Sequence, residues 1–119
     1  LFLENFIVKA LNQLDRKQDD MVVAVAKQIR LSKGMIKATE LAKLNFISLR
    51  QLERRFKLFI GLTIKEFASI VRFRNAKNRI SNGAETSLLD IAFDTGFFDH
   101  SHMNYEFKRI SGENPSHFR

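Results

Sequence analysis

Apolar residues recur along the chain at spacings of three and four, with no clean run of period two. That periodicity predicts helices throughout and an all-α fold. Gly34, Gly61, Gly83, Gly96, Gly112 and the single proline, Pro115, fall between the apolar stripes and mark the turns. The spacing predicts helices over 19–30, around Leu41-Ala42, from Ser48 to Gly61, over 63–80, around Ile91-Ala92, and from Asp99 to Gly112. A further stripe opens the chain at Leu3, Phe6, Ile7, Ala10, Leu11 and Leu14, and the polar run 15–20 interrupts it, giving about seven helices in all. Met21, Val22, Val25 and Ile29 form the inward face of the second helix. In the 63–80 helix, roughly 27 Å long, the core positions are Ile64, Phe67, Ala68 and Val71, with Phe73 or Asn75 at the boundary.

The chain also matches itself. Residues 41–67 read LAKLNFISLRQLERRFKLFIGLTIKEF and residues 91–118 read IAFDTGFFDHSHMNYEFKRISGENPSHF. Both fit [LI]-A-x(2,3)-[NG]-F-x5-[LM]-x3-F-K-x3-G-x5-F, with a one-residue length difference in the turn. In each copy a short helix with a small Ala precedes Asn45 or Gly96, residue types suited to a left-handed turn. Phe46 or Phe97 is then expected to plug the corner. Ser48 and Asp99 are N-caps for the next helix, Ser48 with Gln51 at the capping-box position. The inward faces are Leu49, Leu52, Phe56 and Phe59 in the first copy and Met103, Phe107 and Ile110 in the second. Ser87 and Asp90 are spaced to cap the second copy's short helix, whereas Lys37 cannot cap the first. Two helices across such a turn form a helix-turn-helix.

Composition narrows the function. The chain has 119 residues, twelve Phe and a net charge of +7, which suits a folded domain with a polyanionic partner. The charge is focused: residues 50–79 hold nine Lys and Arg against two Asp and Glu, while residues 80–119 hold three against six. The absence of cysteine excludes disulfides and thiolate metal sites and suits a reducing cytoplasm. No apolar run is long enough for a membrane span, and no signal sequence opens the chain. A first residue that is Leu rather than Met suggests a piece of something longer. Paired carboxylates, a Gly-rich phosphate loop and a nucleophile–base motif are all lacking, which argues against an enzyme.

The stretches LRQLERRFKLFIGLTIKEF, RFRNAKNRI and LLDIAFDTGFFDHSHMNYEFKRISGENPSHFR resemble the AraC/XylS-type bacterial transcription regulators over about residues 20–119. The terminal I-A-x3-G-F, D-H-S-H, F-K-R, G-x2-P and final aromatic-Arg pair are the most specific part. The resemblance implies two homeodomain-like helix-turn-helix subdomains joined by a long connecting helix. Their second helices would enter successive major-groove segments of double-stranded promoter or operator DNA, about 34 Å apart. It also implies contact with RNA polymerase, a missing N-terminal sensor or dimerisation domain, no cofactor, and a cytoplasmic, nucleoid-associated location. The expected division is 1–18 as a leading helix, linker or interaction segment, 19–62 as the first unit, 63–82 as the connecting helix and 83–119 as the second unit.

With its apolar face turned inward, the first recognition helix presents Arg50, Glu53, Arg54 and Lys57. Arg50 and Arg54 are expected to read guanine and Glu53 to filter for cytosine, with Ser48, Gln51, Arg55 and Lys57 on phosphates. Arg72, Arg74, Lys77 and Arg79 either neutralise phosphates or pair internally, Arg72 being the structural one. Aligned on the family pattern, His100, Ser101, His102 and Tyr105 fall at base-reading positions. Asn104, Lys108 and Arg109 fall at phosphate positions. His100 and His102 point about 200° apart on a helix and cannot share a metal ion; capping and packing is their other role. The acidic residues Asp90, Asp94, Asp99 and Glu106 are expected to weaken the second reader. The alternative function is a helical protein-interaction module whose basic face meets an acidic partner. The leading stripe serves either for packing or for dimerisation.

Overall fold

The computed structural model describes residues 3–9, 19–83 and 87–119; Phe2, Ala10, Leu11 and Leu14 of the leading segment lie outside them. The described residues form α-helices and one short 3-10 helix, with no strand among them. After a helical segment over residues 3–9, here α1, come α2 (Asp20–Leu31), α3 (Ala38–Leu44), α4 (Leu49–Ile60), α5 (Ile64–Ser81), α6 (Leu88–Asp94), α7 (His100–Ser111) and the 3-10 turn Pro115–Phe118. Helices α3–α4 and α6–α7 are the two helix-turn-helix units, and α5 joins them.

The termini follow from local chemistry. Asp19 caps α2 by accepting from the Val22 N–H, Ser48 caps α4 through the Gln51 N–H, Ser87 caps α6 and Asp99 caps α7. Lys37 precedes α3 without a side-chain cap. Thr63 and Glu66 form a reciprocal capping box on α5, both bonds 3.0 Å long. Gly61 and Gly112 end α4 and α7 in the left-handed conformation.

Helix α5 is buried on more than one side. Ile64, Phe67, Ala68, Ile70, Phe73, Ala76 and Ile80 are all in the core, so its apolar residues wrap the helix instead of forming one stripe. Its first half packs Phe67 edge-on against Phe56 of α4, centroids 5.4 Å apart. Its second half packs Phe73 against Phe107 of α7 at 4.7 Å, with Phe118 of the 3-10 turn closing the cluster. On α4, Leu52, Phe56 and Ile60 are buried while Leu49 and Phe59 are half-buried, so the inward face is rotated slightly from the expected one.

The first turn departs from expectation. Asn45 is not left-handed (φ −104°); Phe46 is, at φ +53°, and its side chain is 96% exposed instead of plugging the corner. Hydrogen bonds give the true correspondence. The N–H groups of Phe46 and Ile47 reach Lys43 and Ala42 as those of Gly96 and Phe97 reach Phe93 and Ala92. Ile47 is therefore the structural partner of the buried Phe97, and Phe46 that of Gly96. The extra residue of the second unit is Phe98, after the corner and before the Asp99 cap. Asn45 instead donates its amide to the Leu41 carbonyl at 2.7 Å and to Gln28 at 2.9 Å, holding α3 to α2.

Three outcomes are expected. Phe46→Gly should raise stability by about 1 kcal/mol in chemical denaturation, because a left-handed L-residue is strained and the exposed ring packs on nothing. Gly34→Ala should lower it by at least about 2 kcal/mol, since a Cβ there would lie 2.4 Å from the Ala68 carbonyl oxygen at φ +81°. The capping-box bonds hold the Glu66 carboxylate below its ordinary value, the Thr63 N–H foremost. A depressed pKa gives stability that is complete above the ordinary value and lost as pH falls through the lowered one. Glu66→Gln should therefore flatten the loss of stability below about pH 4.5, as followed by thermal melts.

Candidate nucleic-acid interface

The exposed face of α4 carries Arg50, Glu53, Arg54 and Lys57. Among the described residues, none of Arg50, Glu53 and Arg54 takes part in an ion pair, so their polar groups face solvent. Lys57 donates to the Gly61 carbonyl at 3.2 Å and helps to end the helix. Gln51 is exposed, and Ser48 is occupied as the cap. Arg55, expected on a phosphate, is engaged within the fold: its guanidinium holds both oxygens of Asp19 at 2.9 and 3.1 Å. Asp19 thus caps α2 and anchors α4 at once. The Asp before the amphipathic run was a visible cap signal, but its partner lies 36 residues away and no local pattern shows it.

Register equivalence places α7 on α4. With the caps Ser48 and Asp99 aligned, Arg50 corresponds to Ser101, Arg54 to Tyr105, Lys57 to Lys108 and Glu53 to Asn104. Ser101, Tyr105 and Lys108 are exposed and, at i, i+4 and i+7, lie on one face; Asn104 is half-buried. Arg55 corresponds to Glu106, and both turn inward to an ion pair. Glu106 is buried and bound by Arg109 at 2.7 Å, so the Arg109 expected on a phosphate is engaged within the helix.

The histidines divide. His102 accepts the Phe98 N–H on Nδ1 at 3.1 Å, places Nε2 3.7 Å from Glu106, and packs against Phe97 with centroids 5.5 Å apart. It is a packed second cap of α7, the capping and packing role expected for it beside base reading. His100 is half-buried, and its Nε2 is buried without a hydrogen bond among the described residues. No cluster of three His, Asp or Glu among the described residues could hold a metal ion.

The electrostatic expectation for the second unit also changes. Glu106 is neutralised by Arg109, Asp94 pairs with Arg79 at 3.6 Å, and Asp99 spends an oxygen on the His102 N–H. Three of the four carboxylates set against a phosphate backbone are thus internally engaged. On α5, Lys77 lies 4.0 Å from Glu4 and 5.5 Å from the Phe118 ring centroid.

Arg72 links the units. It donates to the Gly34 carbonyl at 2.8 Å and lies 5.7 Å from the Phe97 ring centroid. Burial pulls its pKa down, with Glu106 opposing, and the guanidinium remains charged. Gly96 sits against the same place, where an added Cβ would come 3.0 Å from Met35 and 3.4 Å from Arg72.

Comparison with known proteins follows the same lines. A family described as a helix-turn-helix domain matches residues 41–119. The HTH-type transcriptional activator RhaS of Klebsiella pneumoniae (strain 342) is 36% identical over 73 residues, 61% of this chain. The protein of that name from Escherichia coli O157:H7 is 33% identical over the same length. The chain spans 26% of the length of these relatives. A transcriptional regulator from Chromobacterium violaceum, described as containing an AraC-type DNA-binding domain, shares the fold with a TM-score of 0.78 at 18% identity, over 87% of this chain and 93% of that one. Among the described residues, no helix is long and apolar enough to cross a membrane.

Arg72→Met should keep the aliphatic packing but strand the Gly34 carbonyl and leave Glu106 with less positive charge. A loss of about 1–3 kcal/mol is expected in denaturant titration, and an unchanged midpoint would show that the bridge contributes nothing.

Proposed function

The chain belongs to the AraC/XylS-type helix-turn-helix family, and on that premise we propose that it binds double-stranded DNA with sequence specificity in bacterial transcription control, α4 and α7 each entering one of two successive major-groove segments. The observation that carries this reading is the equivalence of two exposed faces: Arg50 and Arg54 on α4 occupy the positions that Ser101 and Tyr105 occupy on α7. Helix α5, with 18 residues, is roughly 27 Å long, which suits units docking one helical turn apart, about 34 Å.

The roles divide by chemistry. Arg50 and Arg54 read guanine through bidentate hydrogen bonds, and Glu53 accepts from cytosine N4. Ser101 and Tyr105 supply hydroxyl contacts, His100 borders them, and Gln51, Asn104 and Lys108 meet the phosphates. His102, Arg55 and Arg109 are assigned to the scaffold, for the internal bonds described above. The first unit supplies most of the affinity because the guanidinium groups stand there. In its biological setting the domain is the DNA-binding part of a longer cytoplasmic regulator with a sensor or dimerisation domain, touches RNA polymerase, and carries no catalytic activity.

Selection of a random duplex library tests the reading. Two enriched blocks about one helical turn apart are expected. Arg54→Ala should erase preference in the first block and cost about 1–3 kcal/mol on the best site, and Tyr105→Ala should blur the second. His102→Ala should lower thermal stability while leaving both blocks intact. Binding that tracks salt with no enriched sequence would favour the basic interaction module instead.

A further inference from the structure

On α5, away from the family match at residues 41–119 on its other walls, lies a groove of about 460 Å³ formed with α1 and the end of α2. Its size is that of a small-molecule site. Its lining combines two chemistries. Ile7, Val8, Ile70 and Val71 supply an apolar wall, while Arg30, Lys33 and Arg74 supply three cations, with the amides of Asn75 and Asn78 beside them. Among the described residues none of the three cations takes part in an ion pair, so each lines the groove without a counter-ion of its own. Among the described residues Glu4 is the one carboxylate in the lining, and Lys77 stands 4.0 Å from it. Its Oε1, the oxygen that faces Lys77, is buried without a hydrogen bond, an acceptor suited to a hydroxyl or amide donor.

We propose that this groove binds a small organic anion, an apolar body against Ile7, Val8, Ile70 and Val71 with a carboxylate held by Arg30, Lys33 and Arg74. An exposed lysine or arginine usually sits in water as a solvated face. Here three of them line a concavity together with aliphatic side chains from both α1 and α5, a combination that selects amphipathic anions over either inorganic anions or neutral apolar molecules. Arginine favours a carboxylate because its fork donates two parallel hydrogen bonds. Because α1 forms one wall and α5 the other, occupancy would fix α1 on the connecting helix. The proposal does not depend on DNA binding.

The probe is 2-naphthoate, titrated into the whole chain and followed by amide chemical shifts, with 2-naphthamide and inorganic phosphate as controls. The expected result is saturable shifts at Ile7, Val8, Ile70 and Asn75, with the amide and phosphate each at least about tenfold weaker, as loss of one charge-assisted contact predicts. Arg74→Gln, at an exposed position, should weaken naphthoate about tenfold while leaving the melting temperature unchanged; Lys33→Gln provides a second variant if it does not. Equal binding of the amide, equal binding of phosphate, or shifts spread outside the groove would overturn the proposal. So would loss of duplex affinity in Arg74→Gln without naphthoate binding, which would assign these cations to DNA phosphates.

Discussion

At the middle of α5, Arg72 donates to the Gly34 carbonyl at 2.8 Å while its guanidinium lies over Phe97 and is drawn electrostatically to Glu106. One side chain therefore touches the loop leading into the first unit and the corner of the second, and its charge acts on Glu106 of α7. The contact exists because Gly34 packs directly on α5, at a distance that leaves no room for a Cβ, and because Gly96 leaves space on the other side. Removing a partly buried guanidinium from such a site strands polar groups that water cannot easily reach, which makes the bridge costly to break.

From that joint the two cores run outward along the same helix. Phe67 meets Phe56 in one direction and Phe73 meets Phe107 in the other. A helix shared in this way makes the angle between the units a packing property, because interdigitated aromatic side chains do not slide freely. The relative placement of the two exposed faces of α4 and α7 is thus a consequence of the core.

The duplicated unit shows how one scaffold accepts different chemistry. At the position of Arg55 and Glu106 both helices turn a charge inward, positive in one and negative in the other, each with an opposite partner. At the position of Phe46 and Gly96 both turns need a left-handed residue, and the first unit meets the need with a strained, exposed Phe. Among the solvent-facing positions Lys57 and Lys108 agree, while Arg50 and Arg54 on α4 give way to Ser101 and Tyr105 on α7.

The helix count, the caps at Ser48, Ser87 and Asp99, the two units and the connecting helix were legible in the chain, because periodicity and capping act over three or four residues. So were Arg50 and Arg54 as outward side chains, since helix geometry fixes which face they share with Lys57. The corner was misplaced, because Asn and Gly both suit a left-handed turn and only the backbone hydrogen bonds distinguish Asn45 from Phe46. The partners of Arg55, Arg72 and Arg79, the inward turn of His102 and the burial of Glu106 came from the tertiary structure alone. Each depends on residues from other turns or other helices meeting in space, and a charged side chain carries no local mark of whether its partner will be water, phosphate or a carboxylate across the core.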